Sequence, residues 1–460
     1  MSTPRRTSNI LKSANSFTPH TDVDHSSLPM TSSISMSNNP SINSSSSPSW
    51  SSGGSSNRWG ILCGCIILLI LIISSVALSL AVQTVRPPVW LDSTPKSPSG
   101  YFYGGAVYQG SGIWITNKPV LPSARSDLIA ISAIDKIFLL GGQDNNQNIL
   151  NDNLEFDPLF ERYNYSRKNM PVPRYRHAGA AINTLIYVLG GITIYDGKAL
   201  NTMDIYDTIN DVWTVGTNLT LARSDCAAAS LLGKLYVFGG YGIDYDMSVT
   251  GTLVEMFDPS TNVWTVRASM PTPRGDLAAV AFGTSRIFVM GGWNDIEADF
   301  QTATEAYSPA TNSWTTYANM IIPKGDIAVA VYRNRIFNVG GEIWSGKTEL
   351  CPWDPTQTCD INEVPTHDTI ALDPSTDPAS ITERSGVNTA GSVAGANKAP
   401  GVWVPHAPNP GARFRFAGAV HEASQALWVF GGTKDQRQVV DTVSAFYDTD
   451  HPNVFIHYKA

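Results

Sequence analysis

Six strings in this chain of 460 residues, each about fifty residues or more from the next, set a basic residue two positions ahead of a second charge. They are Arg125-Ser126-Asp127, Arg174-Tyr175-Arg176, Arg223-Ser224-Asp225, Arg274-Gly275-Asp276, Lys324-Gly325-Asp326 and Arg413-Phe414-Arg415. Residues two apart on an extended strand share a face. Gathered around one axis, these strings predict a ring of alternating charge at the mouth of a channel. Such a ring either pairs ions between neighbouring elements and locks them, or receives a ligand or peptide. Arg274-Gly275-Asp276 is also an integrin-type triplet, but Arg125-Ser126-Asp127, Arg223-Ser224-Asp225 and Lys324-Gly325-Asp326 in the same slot mark it as a feature of a strand start rather than of an exposed loop tip.

Other residues suited to chemistry are sparse. No phosphate loop, nucleophile elbow or zinc-protease helix motif occurs. His177, His406, His421, His451 and His457 are scattered, and His177 reads as a strand-end hydrogen-bonding residue. Cys226 stands among alanines as a small hydrophobe. Cys351 and Cys359 flank Pro352-Trp353-Asp354-Pro355 in a long loop, and a disulfide between them is expected in an oxidising compartment. The rival reading, a two-cysteine metal site, lacks a second ligand pair. No catalytic residue, metal or cofactor is expected.

The elements that must position the charged strings are themselves repeated. Short apolar runs such as Leu235-Tyr236-Val237-Phe238 end in glycine pairs: Gly141-Gly142, Gly190-Gly191, Gly239-Gly240, Gly291-Gly292, Gly340-Gly341 and Gly431-Gly432. The second glycines are spaced 49, 49, 52, 49 and 91 residues apart. Such a period means one supersecondary unit repeated. The β-branched and aromatic runs suit strands buried on both faces. Each unit then carries a strand ending in a turn, as in Phe156-Asp157-Pro158 or Phe257-Asp258-Pro259. Six residues past that Asp, or past Ser308, comes Tyr163, Trp213, Trp264 or Trp314. Four strands per unit make a propeller blade.

These units resemble the kelch repeat over residues 101–460. The resemblance implies an all-β propeller, related to the central domain of galactose oxidase, whose loops bind partners more often than they catalyse. Some such relatives are copper-radical oxidases, but the histidine and phenolate ligands that copper needs fall in no recognisable slots here. A blade buries both its faces only when neighbours stack on it, so the array must close. Six blades are expected, with the segment around Trp114 supplying the outer strand of the last. Trp114 stands 11 residues before Arg125, the spacing of a fourth strand from the next blade. The weak strand Val454-Phe455-Ile456-His457-Tyr458 competes for that edge, and a seventh degenerate blade starting near Gly104-Gly105 is the alternative closure. The 91-residue step is an enlarged fifth blade, whose third strand comes late at 368–374 and whose tryptophan is delayed to Trp403 by a flexible insert over 375–399.

Residues 1–57 are Ser-rich and lack the apolar content to offset the entropy of ordering, so a disordered tail is expected. From Ile61 to Val82 there is no charge. As a helix this stretch spans roughly 33 Å, enough to cross a bilayer. The expectation is a transmembrane signal-anchor within 58–84, then a linker over 85–100. Arg5, Arg6, Lys12 and Arg58 precede it, which places the N-terminus in the cytoplasm and the propeller outside the cell or in a lumen. Asn164-Tyr165-Ser166 and Asn218-Leu219-Thr220 are N-glycosylation sequons consistent with that side. A net charge of −8 argues against nucleic acid. Together these features predict a membrane-anchored module that binds a protein or glycan. An ectoenzyme, either a copper-radical oxidase or carbohydrate-modifying, is the alternative.

Overall fold

The computed structural model describes residues 112–193, 198–344, 348–351, 354–360, 363–375, 400–434 and 438–449, with the backbone alone over 344–364. The tail, the 61–82 span, the linker, the 375–399 insert beyond Ser375, and 454–458 lie outside the described residues. Among the described residues no helix is long and apolar enough to cross a membrane.

Six four-stranded antiparallel sheets follow one another along the chain. In blade 3 the innermost strand is Ala227–Leu231, followed outward by Lys234–Phe238, Val254–Asp258 and Val263–Val266. Blades 1, 2 and 4 begin at Ile129–Ala133, Ala178–Ile182 and Ala278–Phe282 and repeat this order. Blade 5 joins Ala328–Tyr332 and Arg335–Val339 to Thr369–Asp373 and Val402–Pro405, so the late third strand and delayed tryptophan fall where expected. Blade 6 takes Ala417–His421, Ala426–Phe430 and Val443–Tyr447 from one end of the chain. Its outer strand, Ile113–Ile115, comes from the other, with Trp114 opposite Phe446. This is the six-bladed closure expected from the sequence.

One region departs from expectation. The stretch holding Cys351 and Cys359 is a two-stranded arm, not a loop: Thr348–Cys351 pairs with Asp354–Asp360, and Glu342–Trp344 pairs with Glu363–Pro365. Cys359 lies opposite Glu349, and Cys351 opposite Asp354. The cysteine side chains are outside the described residues.

The second strands are buried on both faces because each face meets a different neighbour. Leu235 and Val237 pack with Ala178 and Leu189 of blade 2. Tyr236 and Phe238 pack with Ile287, Val289 and Tyr307 of blade 4. Nearer the axis the strands crowd, and alanines (Ala227, Ala229, Ala328, Ala330, Ala417, Ala419) fill the space.

Two closed circles of hydrogen bonds tie blade to blade. In the outer circle an aromatic side chain on each outer strand donates to a carbonyl of the preceding connection. Trp213 reaches Lys168 (2.8 Å), Trp264 Thr217 (2.8 Å), Trp314 Ala268 (2.9 Å), Trp403 Ala318 (2.9 Å) and Trp114 Ala407 (2.8 Å), with the Tyr163 hydroxyl on Pro119 (3.1 Å). In the inner circle the second glycine of each pair donates to the carbonyl of the next blade's basic residue. Gly142 bonds Arg174, Gly191 Arg223, Gly240 Arg274, Gly292 Lys324, Gly341 Arg413 and Gly432 Arg125, at 2.8–3.0 Å. The pair Gly239-Gly240 has φ of +58° and +97°, and a Cβ on Gly239 would lie 2.4 Å from the Arg274 carbonyl oxygen. Only glycine permits that approach.

Candidate functional site

The glycine pairs lie on the face of the wheel that also carries the starts of the innermost strands. Ser224 pairs in a bridge with Tyr241, just after Gly240, and Gly275 and Gly325 bridge Trp293 and Glu342 likewise. The six charged strings therefore gather at one end of the axis. Their two charges do not share a face, which corrects the expectation. The second charged residue has φ between +50° and +55° in every string (Asp127, Arg176, Asp225, Asp276, Asp326, Arg415). That left-handed turn breaks the two-residue alternation of an extended chain. The second charge turns to the axis, while the first turns into its own blade.

The first set is accordingly no mouth. Arg125, Arg174, Arg223, Arg274, Lys324 and Arg413 are all buried, with relative exposure of 0–2 %. Arg174 pairs with Asp204, Arg223 with Glu255 and Arg274 with Glu305, each acid being the second residue of the third strand. In blades 1 and 5 the acid comes from just before that strand: Arg125–Asp152 (2.7 Å) and Lys324–Asp368 (2.5 Å). In blade 6 Arg413 meets the Ser444 hydroxyl (3.3 Å) and the carbonyls of Gly431 and Thr442, and burial pushes its pKa down to about 10. These acids were not read from the sequence. The signal was present, an acid in or just before the third strand of blades 1–5, but it occurs at two alternative positions.

The second set closes a third circle. Arg176 N–H donates to the Asp127 carbonyl, Asp225 to Arg176, Asp276 to Asp225, Asp326 to Asp276, Arg415 to Asp326 and Asp127 to Arg415, at 2.8–3.3 Å. Around it the side chains run Asp, Arg, Asp, Asp, Asp, Arg, which is not an alternation. Arg176 lies 3.5 Å from both Asp127 and Asp225, and Arg415 3.0 Å from Asp326 and 3.8 Å from Asp127. This leaves Asp225, Asp276 and Asp326 adjacent, with carboxylate oxygens within 4.8 Å of one another. Among the described residues they are the one group of three potential ligands close enough to hold a metal ion. An all-oxygen set suits a hard cation rather than copper.

Crowding shows in the proton affinities. Burial, reinforced by Asp276 and Asp326 and opposed by Arg176, pushes Asp225 up to about 8. Burial and Asp276, opposed by Arg415, push Asp326 up to about 7. For Arg176 burial acts downward, but Asp225 and Asp127 outweigh it and hold the guanidinium well above its usual value. The two carboxyls bind protons more tightly folded than unfolded. Their stabilising contribution is complete below the ordinary value of 3.8 and is lost as pH rises through about 7 to 8. Melting temperature should therefore fall between about pH 4 and pH 8 and level off above that. Asp276→Asn, which removes the negative charge between them, should flatten that slope; an equal slope in the variant would refute the assignment to this ring.

The remaining predicted residues lie elsewhere. His177 is buried against the preceding blade, where a Cβ on Gly141 would lie 3.0 Å from its ring, and burial pushes its pKa down to about 3. His421 contacts the Asp135 carbonyl (3.0 Å) and His367 that of Asn409 (2.9 Å), in different blades. Cys226 is buried, and burial pushes its thiol up to about 11. Asn218 is exposed on the rim. Asn164 is half-buried, its Oδ1 accepting from the Ser166 amide (3.0 Å) and hydroxyl (2.7 Å). The Arg274-Gly275-Asp276 triplet is buried at Arg274 and Asp276, and Gly275 is covered by the ring of Tyr241.

Six sheets on one axis, closed by an N-terminal strand and by three circles of inter-blade bonds, define a β-propeller with a charged hub. A family model described as the Kelch motif matches 173–220, 222–271 and 274–321. Each match begins at or just before a buried basic residue and runs through one whole blade. The chain is a kelch-repeat β-propeller. It is 30 % identical over 191 residues to Kelch-like protein 25 of Xenopus tropicalis, covering 40 % of this chain and 32 % of that one. It is 33 % identical over 143 residues to Alpha-scruin of Limulus polyphemus, covering 30 % and 15 %. The chain thus spans a third or less of the length of these curated relatives. The solved structure of YjhT matches with a TM-score of 0.55 at 14 % identity, covering 73 % of this chain and 98 % of that one, a likeness of fold.

Proposed function

We propose that this propeller is a binding module for a protein or glycan, held on the extracellular or lumenal side of a membrane by a single helix over 61–82 with the N-terminus in the cytoplasm. The observation carrying the binding reading is how the repeated polar groups are used. The basic residues, glycine pairs and outer aromatics that recur in every blade are engaged in holding the wheel together. What differs between blades is the connection between second and third strands on the hub face, longest in blade 5, where it carries the paired arm. A rigid scaffold with divergent loops on one face is how recognition surfaces are built. The membrane reading is supported by the uncharged stretch from Ile61 to Val82, by the basic residues before it, and by sequons on the outer rim.

Two measurements test it. On intact cells, external protease should remove the propeller, and N-glycosidase should reduce its mass by one step fewer in Asn164→Gln and in Asn218→Gln than in the parent. A protected, unglycosylated propeller sinks the topology. Full-length chain used as bait should retain a partner that a chain lacking 375–399 retains less well if the insert takes part in binding. Capture of nothing specific by the full-length chain sinks the binding reading.

A further inference from the structure

We propose that the hub-face loops of blades 3 and 4 form one docking surface for a partner-protein segment rich in both basic and apolar residues. The inference rests on the binding-module reading and names where and what it binds. Residues 241–253 and 293–303 contain Asp244, Asp246, Asp295, Glu297 and Asp299, and no lysine or arginine. The corresponding connections of blades 2 and 6 contain both signs, with Asp196 and Lys198 in one and Lys434, Asp435 and Arg437 in the other. Set among the acids are Ile243, Val249 and Ile296, which are 56 %, 63 % and 81 % exposed. Scattered apolar residues on a surface are ordinary. Here three stand on two touching loops that carry a single sign of charge.

The two loops form one platform. Tyr241, Met247, Trp293 and Phe300 make a buried cluster with Tyr245 packed on it, separate from the blade cores. Trp293 and Phe300 meet edge to face at 5.1 Å, and the Asp295 amide points at the Met247 sulfur, 3.2 Å away. The platform is seated on the strand starts: the rings of Tyr241 and Phe300 lie over Gly275 and Gly325, where a Cβ would come within 2.4 and 2.7 Å. This explains why blades 4 and 5 have glycine where blades 1 and 3 have Ser126 and Ser224. It is also continuous with the hub, since the Tyr241 hydroxyl donates to Asp276 (2.8 Å).

Charge decides the class of partner. Asp246 accepts from the backbone amide and hydroxyl of Ser248, and Glu297 from the side-chain Nε2 of Gln301, bonds that fix the carboxylates without neutralising them. The loop acids do not converge as the three hub aspartates do, so a single ion does not answer their charge. Several cationic side chains spaced along a segment do, and their aliphatic stems together with apolar neighbours would cover Ile243, Val249 and Ile296. An anionic lipid surface has the wrong sign.

The test uses purified full-length chain and a fluorescent synthetic peptide alternating leucine with lysine and arginine. Controls are the same peptide with glutamate for each basic residue, and oligolysine of equal length. Fluorescence anisotropy should show the mixed peptide binding at least about tenfold more tightly than either control. Glu297→Lys/Asp299→Lys and, separately, Ile243→Ser/Val249→Ser/Ile296→Ser should each weaken it about tenfold or more while leaving the melting temperature unchanged. Equal binding by oligolysine, or undiminished binding by either variant, overturns the inference. The two readings separate through the captured partner: one retained by both variants keeps the binding module and discards this surface, whereas failure of both peptide and capture discards both.

Discussion

Glu255→Ala should lower the stability of the propeller by about 3–5 kcal/mol, read as a shift in the urea midpoint of the full chain. Arg223 and Glu255 are both fully excluded from water. The guanidinium is also held by the carbonyls of Gly239 (3.4 Å) and Leu253 (3.3 Å), so it stays in place when its counter-charge is removed. Glu255 further accepts from the amide (3.2 Å) and hydroxyl (2.5 Å) of Thr220, which opens the approach to Arg223. One carboxylate thus fixes the start of an innermost strand, and with it the Arg223 carbonyl that Gly191 of the preceding blade donates to. Blade 6 supplies the control. There Arg413 already lacks an acid and leans on Ser444 and the carbonyls of Gly411, Gly431 and Thr442, so Ser444→Ala removes one neutral bond and should cost about 1 kcal/mol. If Glu255→Ala costs no more than Ser444→Ala, the buried pairs are not what holds the strand starts.

The contrast also marks where the sequence was legible. Period, glycine pairs and outer aromatics are backbone and packing requirements that every blade must meet, so they recur at fixed spacing and declare the six blades directly. The partners of the buried basic residues are a looser requirement. A carboxylate reaches the guanidinium from Asp152 or Asp368 just before the third strand as well as from Asp204, Glu255 or Glu305 within it. No fixed spacing results, and the pairs stayed hidden. The hub failed for a different reason. Strand alternation does not hold across Asp127, Arg176, Asp225, Asp276, Asp326 and Arg415, all of which have left-handed φ, and a single such residue reverses which side chain faces the axis. Asp is tolerant of that region, while Arg176 and Arg415 are held there by the same circle of backbone bonds. The platform on blades 3 and 4 was illegible because its aromatics belong to connections whose sequences follow no pattern shared by the six blades.

Deleting the chain before Thr116 should have the largest effect of all, abolishing cooperative unfolding, whereas a chain beginning at Gly112 should unfold like the parent. The wheel has no covalent closure. Blade 6 is finished only by Ile113–Ile115, which pairs with Tyr447, Phe446 and Ala445. Trp114 lies against Phe446 with ring centroids 5.2 Å apart and donates to Ala407 of the preceding connection. Without that strand Phe446, which is fully buried, and the nearby His406 face water, and the outer circle of aromatic bonds has a gap. Trp114→Ala alone should cost about 2–4 kcal/mol, toward the low end for a buried tryptophan because this one is only partly buried. Gly112→Val should act in the same direction, since Gly112 has φ of +131° and a Cβ there would lie 2.3 Å from the Phe446 ring. Val454-Phe455-Ile456-His457-Tyr458 is the rival for the same edge. If it can substitute, the chain beginning at Thr116 keeps its midpoint and collapses only when 454–460 is removed as well. Retention of the midpoint after both deletions would mean that the wheel does not depend on a closed sixth blade.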